Sequence, residues 1–261
     1  MAVGGGYRLA DGRTVVLRPA GPADAPAIAR LYLELSPESA HSRFQSGPMP
    51  AALLTRFAEV RPGTGCVVAT APDGQLAAEA RYVPTGAGVA ELAVTVRDSY
   101  QGAGLGRVLL AAIADAARQA GLDRLQATVL TANSPMLHLL QRYGWALAAP
   151  TEGGTVACME ISVTGGIPGW PAGSAGKRVL VERSGWFDDA RTAEFRSAGK
   201  EVRVCTGPLR RAGRPCPLVA SGRCRLAEEA DLIVHMLPAG EPDCAAVLTA
   251  HEQRWPERLA R

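Results

Sequence analysis

The sequence predicts an α/β chain in two parts: a mixed central sheet flanked by helices through residue 163, then a small parallel α/β unit from residue 177. Three observations lead to that class. Between residues 66 and 97, three apolar and partly alternating runs follow one another with turn residues between them. The third run passes through a glycine-rich turn straight into a helical pattern, with Leu105, Val108, Leu109, Ala112, Ile113 and Ala116 on one face. Beyond it, residues 164–174 read T-G-G-I-P-G-W-P-A-G-S, a tract of linker composition, after which strand and helix patterns alternate again.

Each element has a local reason. Thr14–Pro19 (T-V-V-L-R-P) reads as a β-branched strand. Gly21-Pro22-Ala23-Asp24 opens a helix that runs to about Leu35, where Ser36-Pro37-Glu38-Ser39 breaks it. A short helix is expected over residues 50–59, and strands over 66–70 and 76–83, joined by the turn Ala71-Pro72-Asp73-Gly74. Residues 91–97 form the next strand, and the helix after the glycine turn ends at Ala120 with Gly121 as its cap. Residues 125–130 are a strand; Asn133 or Ser134 then caps a helix that has Pro135 in its first turn and ends near Tyr143-Gly144. Strands at 145–149 and 156–163 complete the first part.

After the linker (164–176), strands at 178–182, 201–205 and 231–236 alternate with helices at 187–197 and from about Asp243. In outline this resembles a flavodoxin-like or response-regulator-like unit, although a receiver needs an Asp at the end of its third strand and this chain has His235-Met236. Three strands leave open edges, so docking on the first part or homo-oligomer formation is expected.

Composition narrows the function classes. No run approaches membrane-spanning length and residues 1–13 hold no signal-peptide core, so a cytoplasmic protein with no membrane partner is expected. Up to residue 165 there are thirteen arginines, thirteen acids and no lysine; the rest carries fifteen basic and twelve acidic residues. Neither part is basic enough to predict nucleic-acid binding. The chain's two lysines, Lys177 and Lys200, both follow the linker's start, so self-modification on lysine is confined to them, Lys177 being the better placed. Six cysteines without C-x-x-C spacing predict neither a disulfide scaffold nor a zinc ribbon, and no metal is expected. Cys66 and Cys158 read as small core residues. Cys205, Cys216, Cys224 and Cys244 read as ordinary buried thiols, with a metal site or thiol switch as the alternative.

Chemistry concentrates in residues 94–107, V-T-V-R-D-S-Y-Q-G-A-G-L-G-R. Glycines at a strand–helix junction permit a sharp turn and a close ligand, and the first helical turn offers unpaired N–H donors, a potential phosphate cradle. Counting from Gly102, the sixth position is Arg107, so the dinucleotide fingerprint G-x-G-x-x-G fails, and no Walker Gly-Lys-Ser/Thr follows. The segment does match [RQ]-x-x-G-x-[GA], which resembles the coenzyme A diphosphate loop of the GNAT acetyltransferases; a plain tight turn is the alternative. The element order β-α-α-β-β-β-α-β-α-β-β and the N-x10-G-W of Asn133, Gly144 and Trp145 extend the resemblance over residues 5–163. Short segments in residues 17–39, 90–102 and 133–144 look like bacterial, notably actinobacterial, protein lysine acetyltransferases of the Pat type.

That resemblance implies a GNAT fold and transfer of acetyl from acetyl-CoA to an amine. It places a general base at Glu91, for which a solvated strand-end carboxylate is the plain alternative. It assigns the acetyl and pantetheine contacts to the Val94, Thr95 and Val96 segment, and the diphosphate to Gln101, Gly102, Ala103, Gly104, Leu105, Gly106 and Arg107. Asn133 is either a pantetheine ligand or a helix cap. Where other members carry an acidic Tyr this chain has Leu140, so no general acid is assigned; a thiolate leaves without one. The acceptor implied is a protein lysine. A small-molecule amine acetyltransferase, or a catalytically weak acyl-CoA sensor acting through the second part, are the alternatives.

Overall fold

Runs of small and β-branched residues between glycine and proline turns fold as strands. The computed structural model describes residues 4–46, 49–86, 88–143, 147–150, 155–164, 167–171, 173–183, 190–205, 207 and 216–260. It divides the chain into two units, Met1–Ala127 and Thr128–Arg261. Trp145, Phe187 and parts of the Gly/Pro tract lie outside the described residues. Among the described residues no helix is long and apolar enough to cross a membrane.

The first unit runs β1 (Gly6–Arg8), β2 (Thr14–Pro19), a single 3-10 turn (Pro22–Asp24), α1 (Ala25–Leu33), α2 (Pro37–Phe44) and α3 (Ala51–Ala58). There follow β3 (Gly65–Thr70), β4 (Leu76–Gly86), β5 (Val89–Val96), a second 3-10 turn (Asp98–Tyr100), α4 (Leu105–Gln119) and the start of β6 (Arg124–Leu130). β1 to β5 are antiparallel neighbours in that order, and β6 begins parallel to β5 from Val89↔Arg124 to Glu91↔Gln126. Ile28, Leu31 and Tyr32 of α1 and Leu54 and Ala58 of α3 bury against Cys66, Val68 and Leu76. α4 packs on β3, β4 and β5 through a buried stripe rotated from the expected one: Leu110, Ala114 and Ala117 are buried and Val108 and Ala116 only half-buried.

One expectation is corrected here. Ser36-Pro37-Glu38-Ser39 does end α1, but it also starts α2, because Ser36 Oγ accepts from the Ser39 N–H (3.2 Å) and Pro37 occupies the first helical position. α2 is two turns long with no buried residue, so it left no apolar period to read.

The second unit continues with α5 (Ser134–Tyr143), β7 (Leu147–Pro150), β8 (Val156–Ser162), β9 (Arg178–Arg183), α6 (Ala190–Ser197) and β10 (Glu201–Cys205). It closes with α7 (Pro217–Ser221), α8 (Arg225–Glu229), β11 (Leu232–Met236), α9 (Pro242–Arg254), a 3-10 turn (Pro256–Arg258) and β12 (Leu259–Ala260). Strand order is β8-β7-β10-β9-β11-β12, the last four parallel and β7 antiparallel to both its neighbours. A fourth parallel strand and β7 therefore lie beyond the three strands expected, and β7 pairs with the β10 edge at Val204↔Ala148. Trp170 of the Gly/Pro tract is buried in this unit and its indole N–H donates to Leu226 O (3.0 Å).

Cys205, Cys216, Cys224 and Cys244 all sit in one apolar core with Leu180, Leu226 and Ile233. All are free thiols, and burial pushes Cys224 up to about 11. Among the described residues no group of three or more His, Cys, Asp or Glu is arranged to hold a metal ion. Lys177 and Lys200 are exposed at the turns leading into β9 and β10, where they border a cavity of about 210 Å³ with Ser174 and Glu201.

The same core contains a buried polar cluster. Glu182 on β9 lies beside its register partner His235 on β11, and α9 brings His251 to its other oxygen, at 2.8 Å and 2.9 Å. The outer ring nitrogens, His235 Nε2 and His251 Nδ1, are buried without a partner among the described residues, so the inner nitrogens carry the protons and donate to the carboxylate. Burial pushes the Glu182 carboxyl up, but the hydrogen bonds donated by the two imidazoles outweigh it and hold the group below the usual carboxylate range. Its contribution to stability is thus complete above the unfolded value, about 4.3, and is lost as pH falls through the lower folded value. In Glu182→Gln the amide N–H₂ faces one imidazole N–H, and the variant should lose about 2–4 kcal/mol of stability at neutral pH. Urea denaturation across a pH series should also show a shallower acid limb for it than for the wild type.

Candidate functional site

The residues 94–107 segment leaves β5 at Val96, makes the Asp98–Tyr100 turn and enters α4 through two glycines in the left-handed region, Gly102 (φ 74°) and Gly104 (φ 85°). A side chain there is strained by φ alone, for a Cβ at either position would meet no heavy atom within 4 Å. The N–H groups of Gly102, Ala103, Gly104, Leu105 and Gly106 donate to no acceptor among the described residues, and the Arg107 N–H donates to Gly104 O (3.2 Å). Ala103 and Leu105 anchor the turn by burial; Gly102, Gly104 and Arg107 are exposed. The β1–β2 turn shores it up from outside. The Ala10 N–H donates to Ala103 O (3.1 Å), Arg13 donates to Ser99 O (2.7 Å), and the Arg13 guanidinium lies 3.9 Å from the Tyr100 ring centre. The result is a set of spare donors at a helix N-terminus, chemistry suited to a phosphate group.

Gln101 differs from the rest of its motif. Its side-chain amide donates to Ser39 Oγ (3.0 Å), Asp98 Oδ1 (3.0 Å) and Val96 O (3.2 Å), so at the surface it braces the turn against the protein's own groups. Asp98 also accepts from the Ser36 N–H (2.8 Å) and from the hydroxyls of Ser36 and Ser39. Partial burial pushes the Asp98 carboxyl up, but those hydrogen bonds prevail and hold it low.

On β5, Glu91 is exposed, flanked in register by the exposed Val83 on β4 and by Gln126 on β6. Val94 and Val96 are half-buried. The Thr95 side chain is buried and accepts from Arg43 Nε (2.9 Å), which leaves its backbone as the part able to meet a ligand. Asn133, in the second unit, caps α5: its Oδ1 accepts from the Met136 N–H at 3.1 Å. Leu140 is fully buried, a core residue and no acid.

Sequence reasoning missed the strongest electrostatic feature of the first unit. Glu79 on β4 is fully buried and opposite Thr95, with Arg81 Nε at 3.0 Å, Arg43 Nη2 at 3.6 Å and the Tyr32 hydroxyl donating at 2.5 Å. Burial pushes its carboxyl up; the charges of Arg81 and Arg43 and the hydrogen bonds outweigh that and hold it below the usual range. Burial, and after it the same carboxylate, push Tyr32 and Cys66 upward. A signal existed: A-A-E-A-R lies in a strand with neighbours on both edges, where a charged residue must be countered.

Known proteins resemble this chain in sequence and fold. A family model for the Acetyltransferase (GNAT) family matches residues 28–145. Acetyltransferase Pat of Mycolicibacterium smegmatis is 37% identical over 142 residues, 52% of this chain and 43% of that protein, so the chain spans less than half the length of this relative. Acetyltransferase PA5475 of Pseudomonas aeruginosa is 32% identical over 144 residues, which cover 77% of that protein. The crystal structure of the GNAT domain of S. lividans PAT matches 60% of this chain and 96% of its own, with a TM-score of 0.54 and 30% identity. Matched at this identity over most of PA5475 and nearly all of a solved GNAT domain, the chain belongs to the GNAT acetyltransferase family.

Proposed function

We propose that this chain transfers acetyl from acetyl-CoA to lysine ε-amines of other proteins. The observation that carries the reading is the spare N–H array of residues 102–106 behind two left-handed glycines, which fits the coenzyme A diphosphate. The likeness to two Pat proteins supports protein lysine as the acceptor. Catalysis belongs in this reading to residues 1–163 of the cytoplasmic protein, joined by 164–176 to a regulatory or oligomerising part at 177–261.

In the reaction the neutral amine attacks the thioester carbonyl, the C–S bond breaks and coenzyme A departs as thiolate. Deprotonating a lysine at pH 7 costs roughly 4–5 kcal/mol, which is the role for a base. Glu91 takes that proton, directly or through one water, and its exposure leaves it open to an incoming side chain. Backbone groups of Val94, Thr95 and Val96 bind the acetyl carbonyl and pantetheine. The departing sulfur needs no acid, consistent with a buried Leu140.

Thiol release from acetyl-CoA in the presence of a cell lysate, followed by mapping of acetylated sites, tests the acceptor. Protein-bound acetyl-lysine is expected, and activity confined to a panel of small amines would refute it. Gly104→Val places a β-branched residue at φ 85° and a Cβ where the diphosphate approaches, so coenzyme A affinity should fall on the order of 100-fold or more. Titration calorimetry that returned wild-type affinity would move the cradle elsewhere. Glu91→Gln should lower kcat by roughly 10²–10⁴ at pH 7.5, leave acetyl-CoA affinity nearly unchanged, and recover toward wild type at pH 9.5. Steady-state kinetics at the two pH values read this out, and an unchanged rate at pH 7.5 would reduce Glu91 to a surface carboxylate.

A further inference from the structure

Alone among the α-helices that lie wholly in the first unit, α2 contains no fully buried residue, and its apolar anchorage is at its C-terminal end, where half-buried Phe44 packs on the core beside Tyr32 and Phe57. Polar bonds at its two ends supply the rest. At the C-terminal end, Arg43 donates to Thr95 Oγ1 on β5 (2.9 Å) and approaches Glu79 on β4. At the N-terminal end, Ser36 gives its N–H and hydroxyl to the Asp98 carboxylate, and Ser39 gives its hydroxyl to the same group. Asp98 in turn holds Gln101 at 3.0 Å, the residue that leads into the glycines, and Gln101 also bonds Val96 O at the end of β5. One carboxylate thus joins the end of β5, the start of α2 and the start of the donor array. It also lies where the α2 dipole favours negative charge.

From this geometry we infer that Asp98 is a positioning residue for the coenzyme A diphosphate: it never touches the ligand, but it fixes residues 102–106 in the conformation that presents their N–H groups. The inference rests on reading that turn as the diphosphate cradle. A glycine-rich turn with free donors has many accessible conformations, and binding is weaker by whatever ordering the ligand must then impose. Asp98 removes that freedom beforehand, with α2 as the rigid body on which it pulls. Asparagine at this position cannot substitute. Oδ1 meets the Ser36 hydroxyl, Ser39 and Gln101 while Oδ2 meets the Ser36 N–H, so either orientation of the amide sets its N–H₂ against a donor.

The test compares two probes in wild type, Asp98→Asn, Ser39→Ala and Gln101→Ala: coenzyme A by titration calorimetry, and pantetheine, which lacks the diphosphate, by NMR titration. Asp98→Asn should raise the Kd for coenzyme A about 30-fold and leave that for pantetheine within about twofold. Gln101→Ala and Ser39→Ala should show the same selective loss in smaller degree, and Asp98→Asn with Gln101→Ala should lose less than the product of the single losses. Circular dichroism checks each fold; if Asp98→Asn is unfolded, the two milder variants carry the comparison. Equal weakening of both probes would overturn the inference, since it would make Asp98 a general structural residue. Unchanged coenzyme A affinity would overturn it too. A wild type that binds coenzyme A no better than pantetheine would instead defeat the cradle reading itself, and this inference with it.

Discussion

The first unit is built around the cost of burying one negative charge. An isolated carboxylate in a protein interior loses several kcal/mol of solvation after relaxation, and Glu79 is wholly removed from water. Two guanidiniums, a phenol and a threonine surround it, and each arrives from a different element: Arg81 shares β4, Arg43 comes from α2, Tyr32 from α1 and Thr95 from β5. Arg81 extends the tie to α3 by donating to Phe57 O and Glu59 O. Shifting any of these elements would strand a buried ion, so the carboxylate fixes their mutual placement in a way apolar contact does not. β5 and its glycine turn inherit that fixity through Thr95, and this is how a core ion pair reaches the donor array.

The second unit meets the same electrostatic problem with different partners. Glu182 is countered by two imidazoles where Glu79 is countered by guanidiniums. A guanidinium brings a permanent charge to its carboxylate, whereas these imidazoles hold theirs by one hydrogen bond each. The second unit also contains a buried guanidinium pair, Arg203 with Glu160. Glu182 and His235 also sit at the carboxyl ends of β9 and β11, and β10 lies on the other side of β9. That is the point in such sheets where successive strands are added in opposite directions.

Elements with a strong local signature were legible before any coordinates. The turn Ala71 to Gly74, the Gly102–Gly104 junction and the caps at Asn133 and Gly121 are dictated by residues within a few positions of each other. What escaped was decided at a distance. Glu79 looks like one polar residue in an alternating strand until Arg43, from a helix that was itself unread, is brought against it. α2 has a cap and a proline but no apolar stripe. β1, β12, α7 and α8 are two to five residues long, too short for a period to emerge. The glycines of the turn were legible in sequence as positions; that the Gln101 side chain bonds Asp98 and Ser39 was not, because a motif fixes which residue is present and not where its side chain points.

The two lysines have a practical consequence. Apart from the terminal amine, every primary amine of the chain is at Lys177 or Lys200, both of which line one cavity in the second unit. Side-chain amine chemistry, whether a fluorophore, a surface linker or a short bifunctional cross-linker, is directed there, and in the first unit only the terminal amine can compete. A sensor chip coupled through those side chains would present the molecules attached by their second unit, and a cross-linker spanning the pair would report on that cavity alone.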